Sequence, residues 1–202
     1  MEHLSPVPES VIDALPVLDA NQLGRSIRRH TEMEGLPSLD GIKVAIVGVQ
    51  EDRRAYRNVG CDGAADAIRP YLYQLYKGKW DFGIADLGNL YKGERHTDTL
   101  LLLKEIAQEL LQRQIVLITI GGSQELTYAN YRGYDSLEQT VNIVSVDARL
   151  DVGSEGRELD HQSYVSHLVL QEPHNLYNFT NLGYQTYFNS PEEIALIDKL
   201  FF

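Results

Sequence analysis

The run Lys43–Val49 is an almost uninterrupted series of β-branched and small apolar residues, and it constrains the fold more than any other feature of the chain. Such a run is typical of a strand that is covered on both faces, as in a parallel sheet. The run Ile115–Ile120 predicts a second buried strand, and Val141–Val146 predicts a third. Residues 64–75 and 96–114 carry apolar residues at helical spacing. This alternation predicts a three-layer α/β domain with a mainly parallel sheet.

The sequence divides into a lead-in and one domain. Residues 1–40 are polar and punctuated by prolines, and we expect them to pack as an appendage to a domain that fills residues 41–202. Residues 80–87 predict a further short strand, which ends in the polar segment Asp86–Asn89. The last residues, Leu200–Phe202, are large and apolar, which indicates a chain cut short or an end that docks on another surface.

Charge and cysteine content narrow the classes of partner and compartment. The chain has 18 Lys and Arg against 29 Asp and Glu, a net charge of −11, which argues against nucleic acid or an anionic membrane as a partner. Cys61 is the single cysteine, so an intrachain disulfide is excluded and a cytoplasmic location is expected. No signal-peptide pattern opens the sequence, and no window reaches the roughly 18 apolar residues of a membrane span.

Polar and charged residues follow two of the predicted strands. Gly121–Glu125 comes after the second strand, and Asp147–Asp151 comes after the third. In an extended segment, positions 147, 149 and 151 point the same way, so two carboxylates and a guanidinium would share one face. Paired carboxylates can hold a hard divalent cation, although such a strand end is more often a simple turn. The fixed charge of Arg149 disfavours a metal, and we interpret Arg149 as a built-in substitute for one.

These residues resemble the ureohydrolase family, which comprises arginase, agmatinase and formimidoylglutamase. Members carry Gly-Gly-Asp-His after one strand and Asp-Ala-His-x-Asp after the next, where this chain has Gly121–Gln124 and Asp147–Asp151. The resemblance covers roughly residues 41–152. Its supporting matches lie at Gly48-Val49, Ala67–Arg69 and Asp86–Asn89.

The resemblance implies an α/β/α arginase-like fold whose members hydrolyse guanidino or formimino groups with two Mn²⁺ ions. The family's aspartate ligands fall on Asp147 and Asp151, and its two histidine ligands fall on Gln124 and Arg149. A third family motif, Ser-x-Asp-x-Asp, has no counterpart, so the carboxyl-terminal part of the family fold is expected to be missing. We therefore interpret the chain as a catalytically impaired member, a pseudoenzyme or fragment with a binding or structural role. No cofactor is expected, or Mn²⁺ if the site is partly retained.

Several alternatives stay open. The chain could be a Mn²⁺-dependent hydrolase of a small guanidino or formimino compound, completed by a longer parent or a partner chain. A serine hydrolase would use Ser123 with His161 or His167, but Glu125 stands where the nucleophile elbow requires glycine. Gly121–Ser123 could also form an anion-binding nest, which Glu125 disfavours. Family members often form trimers or hexamers, so the resemblance also implies a homo-oligomer.

Overall fold

The computed structural model of the protein describes residues 1–153, 156–170, 172 and 175–200. The chain forms two compact units, one from Met1 to Ser123 and one from Gln124 onward. The boundary predicted at residue 40, between an appendage and a domain, stays a prediction. Within the described ranges, no helix is both long enough and apolar enough to cross a membrane.

The first unit is built on a five-stranded sheet. Its strands are β1 (Leu4–Ser5), β2 (Arg28–Arg29), β3 (Ile42–Val49), β4 (Gly83–Leu90) and β5 (Val116–Ile120). The order is β1-β4-β3-β5, and β2 also pairs with β4. Only β1 runs antiparallel to its neighbour, so the sheet is mainly parallel, as the sequence predicts.

Position in this sheet explains the burial of its apolar strands. β3 lies between β4 and β5, and Ala45, Ile46 and Val47, which point to alternate faces, are at most 3% exposed, which confirms a strand covered on both faces. β5 lies at the sheet edge, and its side chains Val116 and Ile118 are 57% and 44% exposed. The prediction that β5 is buried was wrong, because an apolar run does not reveal whether a strand is central or at an edge.

The first unit carries three α-helices, α1 (Glu9–Asp13), α2 (Ala64–Gln74) and α3 (His96–Gln112). α2 and α3 confirm the two helices predicted from apolar spacing. α3 begins with a capping box in which the backbone N–H of Arg95 donates to Asp98 Oδ2 at 2.8 Å.

β4 is displaced from its predicted position, because it spans Gly83–Leu90 rather than residues 80–87. Asp86–Asn89 therefore lies inside the strand instead of after it. Gly88 has φ +83°, and a Cβ on it would lie 1.8 Å from the carbonyl oxygen of Ser5. The pairing register with β3 shifts at the same point, so Gly88 allows a β-bulge here. The polar residues on either side of the bulge therefore lie within the strand and not in a loop.

A buried ion pair holds α2 against β4. Arg69 is fully buried, and its guanidinium donates to both carboxylate oxygens of Asp86 at 2.9 and 3.0 Å. Tyr73 Oη donates to the same carboxylate at 2.8 Å, and Asn89 Oδ1 accepts from Arg69 at 2.6 Å. Burial, and then the charge of Asp86, raise the pKa of the Tyr73 phenol. This network satisfies the polar groups that interrupt the apolar pattern of β4.

The second unit contains two parallel strands, β6 (Val141–Val146) and β7 (Leu176–Leu182). Its helices are α4 (Leu126–Asp135), α5 (Tyr164–Leu170) and α6 (Pro191–Leu200). β6 confirms the third predicted strand. The apolar end of the sequence predicted above includes Phe201 and Phe202, which lie outside the described residues. The core of the unit consists of buried apolar and aromatic side chains, namely Tyr131, Leu150, Val152, Tyr164, Val165, Leu168 and Phe179.

Among the described residues, one face of the β6–β7 sheet is exposed. Phe179 on β7 faces the core and is 4% exposed, whereas Val144 and Val146 on β6 are 62% and 82% exposed. Leu182, which pairs with Val146, is 52% exposed. The alternation of buried and exposed residues is that of a sheet covered on one face.

Candidate functional site

The segment after β6 is held in place by side-chain amides. The backbone N–H of Arg149 donates to Asp147 Oδ1 at 2.8 Å, which closes a tight turn directly after the strand. Asn181 Nδ2 donates to the carbonyl of Arg149 at 2.8 Å. Asn189 Oδ1 accepts from the backbone N–H of Leu150 at 2.7 Å. Asn181 and Asn189 were missed in the sequence, because they lie more than thirty residues away and match no motif.

Gln124 lies against the first of the two aspartates. Its Nε2 donates to Asp147 Oδ2 at 2.5 Å. The side chains of Gln124 and Tyr164 also share a hydrogen bond, and Tyr164 Oη lies 3.4 Å from Ser145 Oγ. Tyr164 is 2% exposed, and burial raises the pKa of its phenol. Gln124 and Asp147, which come from two separate sequence motifs, are therefore in direct contact.

Asp151 is the unusual carboxylate of the site. It is 4% exposed, its backbone has φ +50°, and no described group hydrogen-bonds its buried Oδ2. Burial, followed by the negative charge of Asp147, raises the pKa of Asp151 to about 7. The two predicted aspartates thus influence each other, but only Asp147 has both carboxylate oxygens satisfied.

Arg149 does not take the position that we expected from the sequence. Its Nη1 donates to the carbonyl of Phe188 at 3.0 Å, and its guanidinium carbon lies 5.4 Å from the centre of the Phe188 ring. The side chain is exposed, and no ion pair joins it to Asp147 or Asp151 in the described part of the chain. Its positive charge acts against the rise in the pKa of Asp151, but burial and Asp147 outweigh it. A cation–π contact with an aromatic residue competes with the carboxylates, and no sequence pattern indicates this contact.

These residues do not fit a pair of Mn²⁺ ions. The described residues gather no group of three or more His, Cys, Asp or Glu side chains that could hold a metal. Gln124 presents an amide N–H to Asp147, and Arg149 is a cation, where the resemblance places histidine ligands. A two-metal site needs bridging carboxylates and several further donors for each ion. Asp147 and Asp151 alone do not supply them.

The serine hydrolase alternative gains no support within either unit. Ser123 is 3% exposed, and its backbone N–H donates to the carbonyl of Glu51 at 2.9 Å. The Nε2 of His167 lies 3.1 Å from the carbonyl oxygen of Arg157, so one ring nitrogen of this candidate base is engaged. Asp160, which precedes the other candidate base His161, forms an ion pair with Arg157.

A second polar cluster follows β3 in the first unit. Glu51 is fully buried, and it accepts hydrogen bonds from the Arg53 guanidinium and from Thr99 Oγ1 at 2.8 Å. Burial alone would raise the pKa of Glu51, but the bonds from Arg53 and Thr99 hold it below its usual value. Sequence reasoning missed this cluster, because the residues after β3 have the composition of a solvated loop. Its groups satisfy one another, which is typical of a structural role.

The chain is similar to known proteins over most of its length. Residues 42–200 match the model of the arginase family. A formimidoylglutamase of Streptococcus gordonii is 28% identical over 125 residues, which is 58% of this chain and 38% of that protein. A formimidoylglutamase of Lysinibacillus sphaericus is 24% identical over 196 residues, covering 91% of this chain and 60% of that protein. The chain thus spans between 38% and 60% of the length of these relatives.

A solved structure gives the same result for the fold. The crystal structure of Trypanosoma cruzi formiminoglutamase with Mn²⁺ superposes with a TM-score of 0.73 at 18% identity, covering 88% of this chain and 62% of that one. This likeness confirms the α/β arginase-like fold that the resemblance implied. The family match also extends beyond residue 152, where the sequence motifs stop. Since the match covers most of its length, the chain belongs to the arginase family.

Proposed function

We propose that this chain forms part of an arginase-family protein that has lost two-metal hydrolysis and serves a binding or structural role. The observation that carries the proposal is the set of donors around Asp147. Gln124 and Arg149 stand at the histidine positions, and both oxygens of Asp147 already accept hydrogen bonds. A pair of metal ions held by such a site would activate water for hydrolysis.

The residues of the site instead build a stable polar turn. The Gln124 side chain and the backbone N–H of Arg149 each donate to one carboxylate oxygen of Asp147. The Asn189 side chain accepts from the backbone N–H of Leu150. Hydrogen bonds to a carboxylate from neutral donors stabilise its charged form without a metal. This arrangement supports a role in shape and binding rather than in turnover.

A second candidate is a Mn²⁺-dependent hydrolase of the C–N bond of a formimino or guanidino compound. The comparisons support this candidate more directly than the first, because the relatives named above are formimidoylglutamases and one was crystallised with Mn²⁺. The buried Oδ2 of Asp151, to which no described group donates a hydrogen bond, also favours it. The missing ligands would come from the part of the fold that this chain does not span.

Metal content and turnover together distinguish the two candidates. The protein is purified from its natural source in the presence of MnCl₂, and the Mn content is measured per chain. Hydrolysis of arginine, agmatine and formimidoylglutamate is then followed. We expect neither two equivalents of Mn²⁺ nor turnover. Two equivalents with turnover that is lost in Asp147→Asn would establish the hydrolase instead.

The partners and location remain part of the proposal. We propose a cytoplasmic protein that forms a homo-oligomer, binds a small formimino or guanidino compound if it is active, and has no nucleic-acid or membrane partner. The net charge of −11 and the single cysteine support this view. Light scattering coupled to size-exclusion chromatography measures the oligomeric state, and a monomeric mass would contradict the oligomer.

A further inference from the structure

We infer that Gln124, and not Arg149, is the residue that keeps a divalent cation away from Asp147. The inference rests on the proposed loss of two-metal hydrolysis, and it assigns that loss to one side chain. The two substitutions at the family's histidine positions look equivalent in the sequence, because each replaces an imidazole. The structure separates them by the direction in which each side chain points.

The hydrogen bonds of Asp147 show which substitution matters. Its Oδ1 accepts from the backbone N–H of residue 149 at 2.8 Å, a bond that every residue except proline can donate. Its Oδ2 accepts from the side chain of Gln124 at 2.5 Å. Only the second bond depends on side-chain identity. A cation that approaches Oδ2 along the lone pair that accepts from Gln124 must therefore displace this amide, whatever occupies position 149.

Neighbouring contacts keep the Gln124 amide in place. Tyr164 is almost fully buried and shares a hydrogen bond with the Gln124 side chain. Tyr164 packs in the core of the second unit, so it gives the amide a second partner that is itself fixed in place. Displacement of Gln124 by a cation would thus break two hydrogen bonds, not one.

Arg149 is poorly placed to repel a cation at Asp147. Its guanidinium is exposed, donates to the carbonyl of Phe188 at 3.0 Å and lies over the Phe188 ring. The charge of an exposed side chain is screened by water and salt. Removing this guanidinium should change cation affinity little, because it occupies no ligand position on Asp147.

The experiment is a titration with MnCl₂ alone, with free Mn²⁺ measured by its electron paramagnetic resonance signal. The proteins are the full chain, Gln124→Glu, Arg149→Ala and the control Gln139→Glu. Gln139 is exposed and in the same unit, so its substitution adds the same charge away from the site. Gln124→Glu keeps the side-chain shape but replaces the donor with a carboxylate oxygen, which Mn²⁺ prefers.

We expect Gln124→Glu to bind Mn²⁺ on the order of tenfold more tightly than the unchanged chain, because ligand charge sets the affinity of such sites. Arg149→Ala and Gln139→Glu should match the unchanged chain. Circular dichroism checks folding, and Gln124→His serves as a second variant if Gln124→Glu does not fold. A gain in Arg149→Ala as large as that in the folded Gln124 variant would overturn the inference. So would no gain in any folded Gln124 variant.

Failure of the inference is distinguishable from failure of the proposed function. If the unchanged chain binds two equivalents of Mn²⁺ tightly, the proposed loss of the metal site is wrong, whatever the variants do. If the unchanged chain binds none and only Arg149→Ala gains affinity, the loss of the site stands. In that case the assignment to Gln124 alone is wrong.

Discussion

Substitution of Arg69 by methionine tests how far the first unit depends on its buried ion pair. The change removes five hydrogen bonds, two to Asp86 and one each to Asp66, Asn89 and the carbonyl of Gly88. Asp86 is fully buried and would keep only the donors from Tyr73 and the backbone of Gly88. Removing one partner of a buried pair costs about 3–5 kcal/mol, because the other charge is left without compensation. We expect a loss of this size in the free energy of unfolding.

The assay is urea unfolding followed by fluorescence of Trp80, the single tryptophan, which packs against a core cluster of the first unit. The double variant Arg69→Met/Asp86→Leu removes both charges and should lose much less than the two single variants together. Arg113→Met is the control, since its ion pair with Glu109 is exposed and contributes roughly 0.3–0.5 kcal/mol. A cost below about 1 kcal/mol for Arg69→Met, or strict additivity in the double variant, would refute the reasoning.

Three further predictions concern single positions. The pKa of Asp151 is raised to about 7 from 3.8, so the unfolded chain ionises first and stability falls as the pH rises between these values, by at most about 4 kcal/mol. Asp151→Asn should lack this fall in urea unfolding followed by circular dichroism at several pH values; an identical pH profile would contradict the shift. Gly88→Ala should lower the free energy of unfolding, followed by Trp80 fluorescence, by several kcal/mol, because the added Cβ would lie 1.8 Å from the Ser5 carbonyl oxygen. Gly60→Ala is the control, because its Cβ would meet nothing within 4 Å and only the cost of a positive φ remains. Asp98→Ala should lower the urea midpoint by removing the side-chain acceptor at the start of α3, and an unchanged urea midpoint would show that this cap contributes nothing.

Much of the fold could be predicted because local patterns and tertiary burial agree. The apolar run of β3 is central in its sheet, and the apolar stripe of α3 is buried at Leu103, Ile106 and Leu110. β4 was displaced in the prediction because Asp86 and Asn89 look like loop residues. Their partner Arg69 lies on the preceding helix, 17 residues before Asp86, and no local pattern links them.

The candidate site divides in the same way. Its positions could be predicted from Gly121–Gln124 and Asp147–Asp151, because strand ends and family motifs are local signals. The direction of each side chain could not. Arg149 turns toward Phe188, and Asp147 turns toward Gln124, because of residues brought close only by folding. Residue identity limits which ligands are available, whereas tertiary contacts decide which of them remain free.

The exposed face of the β6–β7 sheet should lower the thermal stability of the second unit. A pair of strands gains little independent stability when only one side is packed, and Val146 leaves most of its surface in water. We therefore expect the second unit to loosen before the first on heating. On heating, proteolytic cleavage and aggregation should then begin within this strand pair, while the sheet around β3 stays folded.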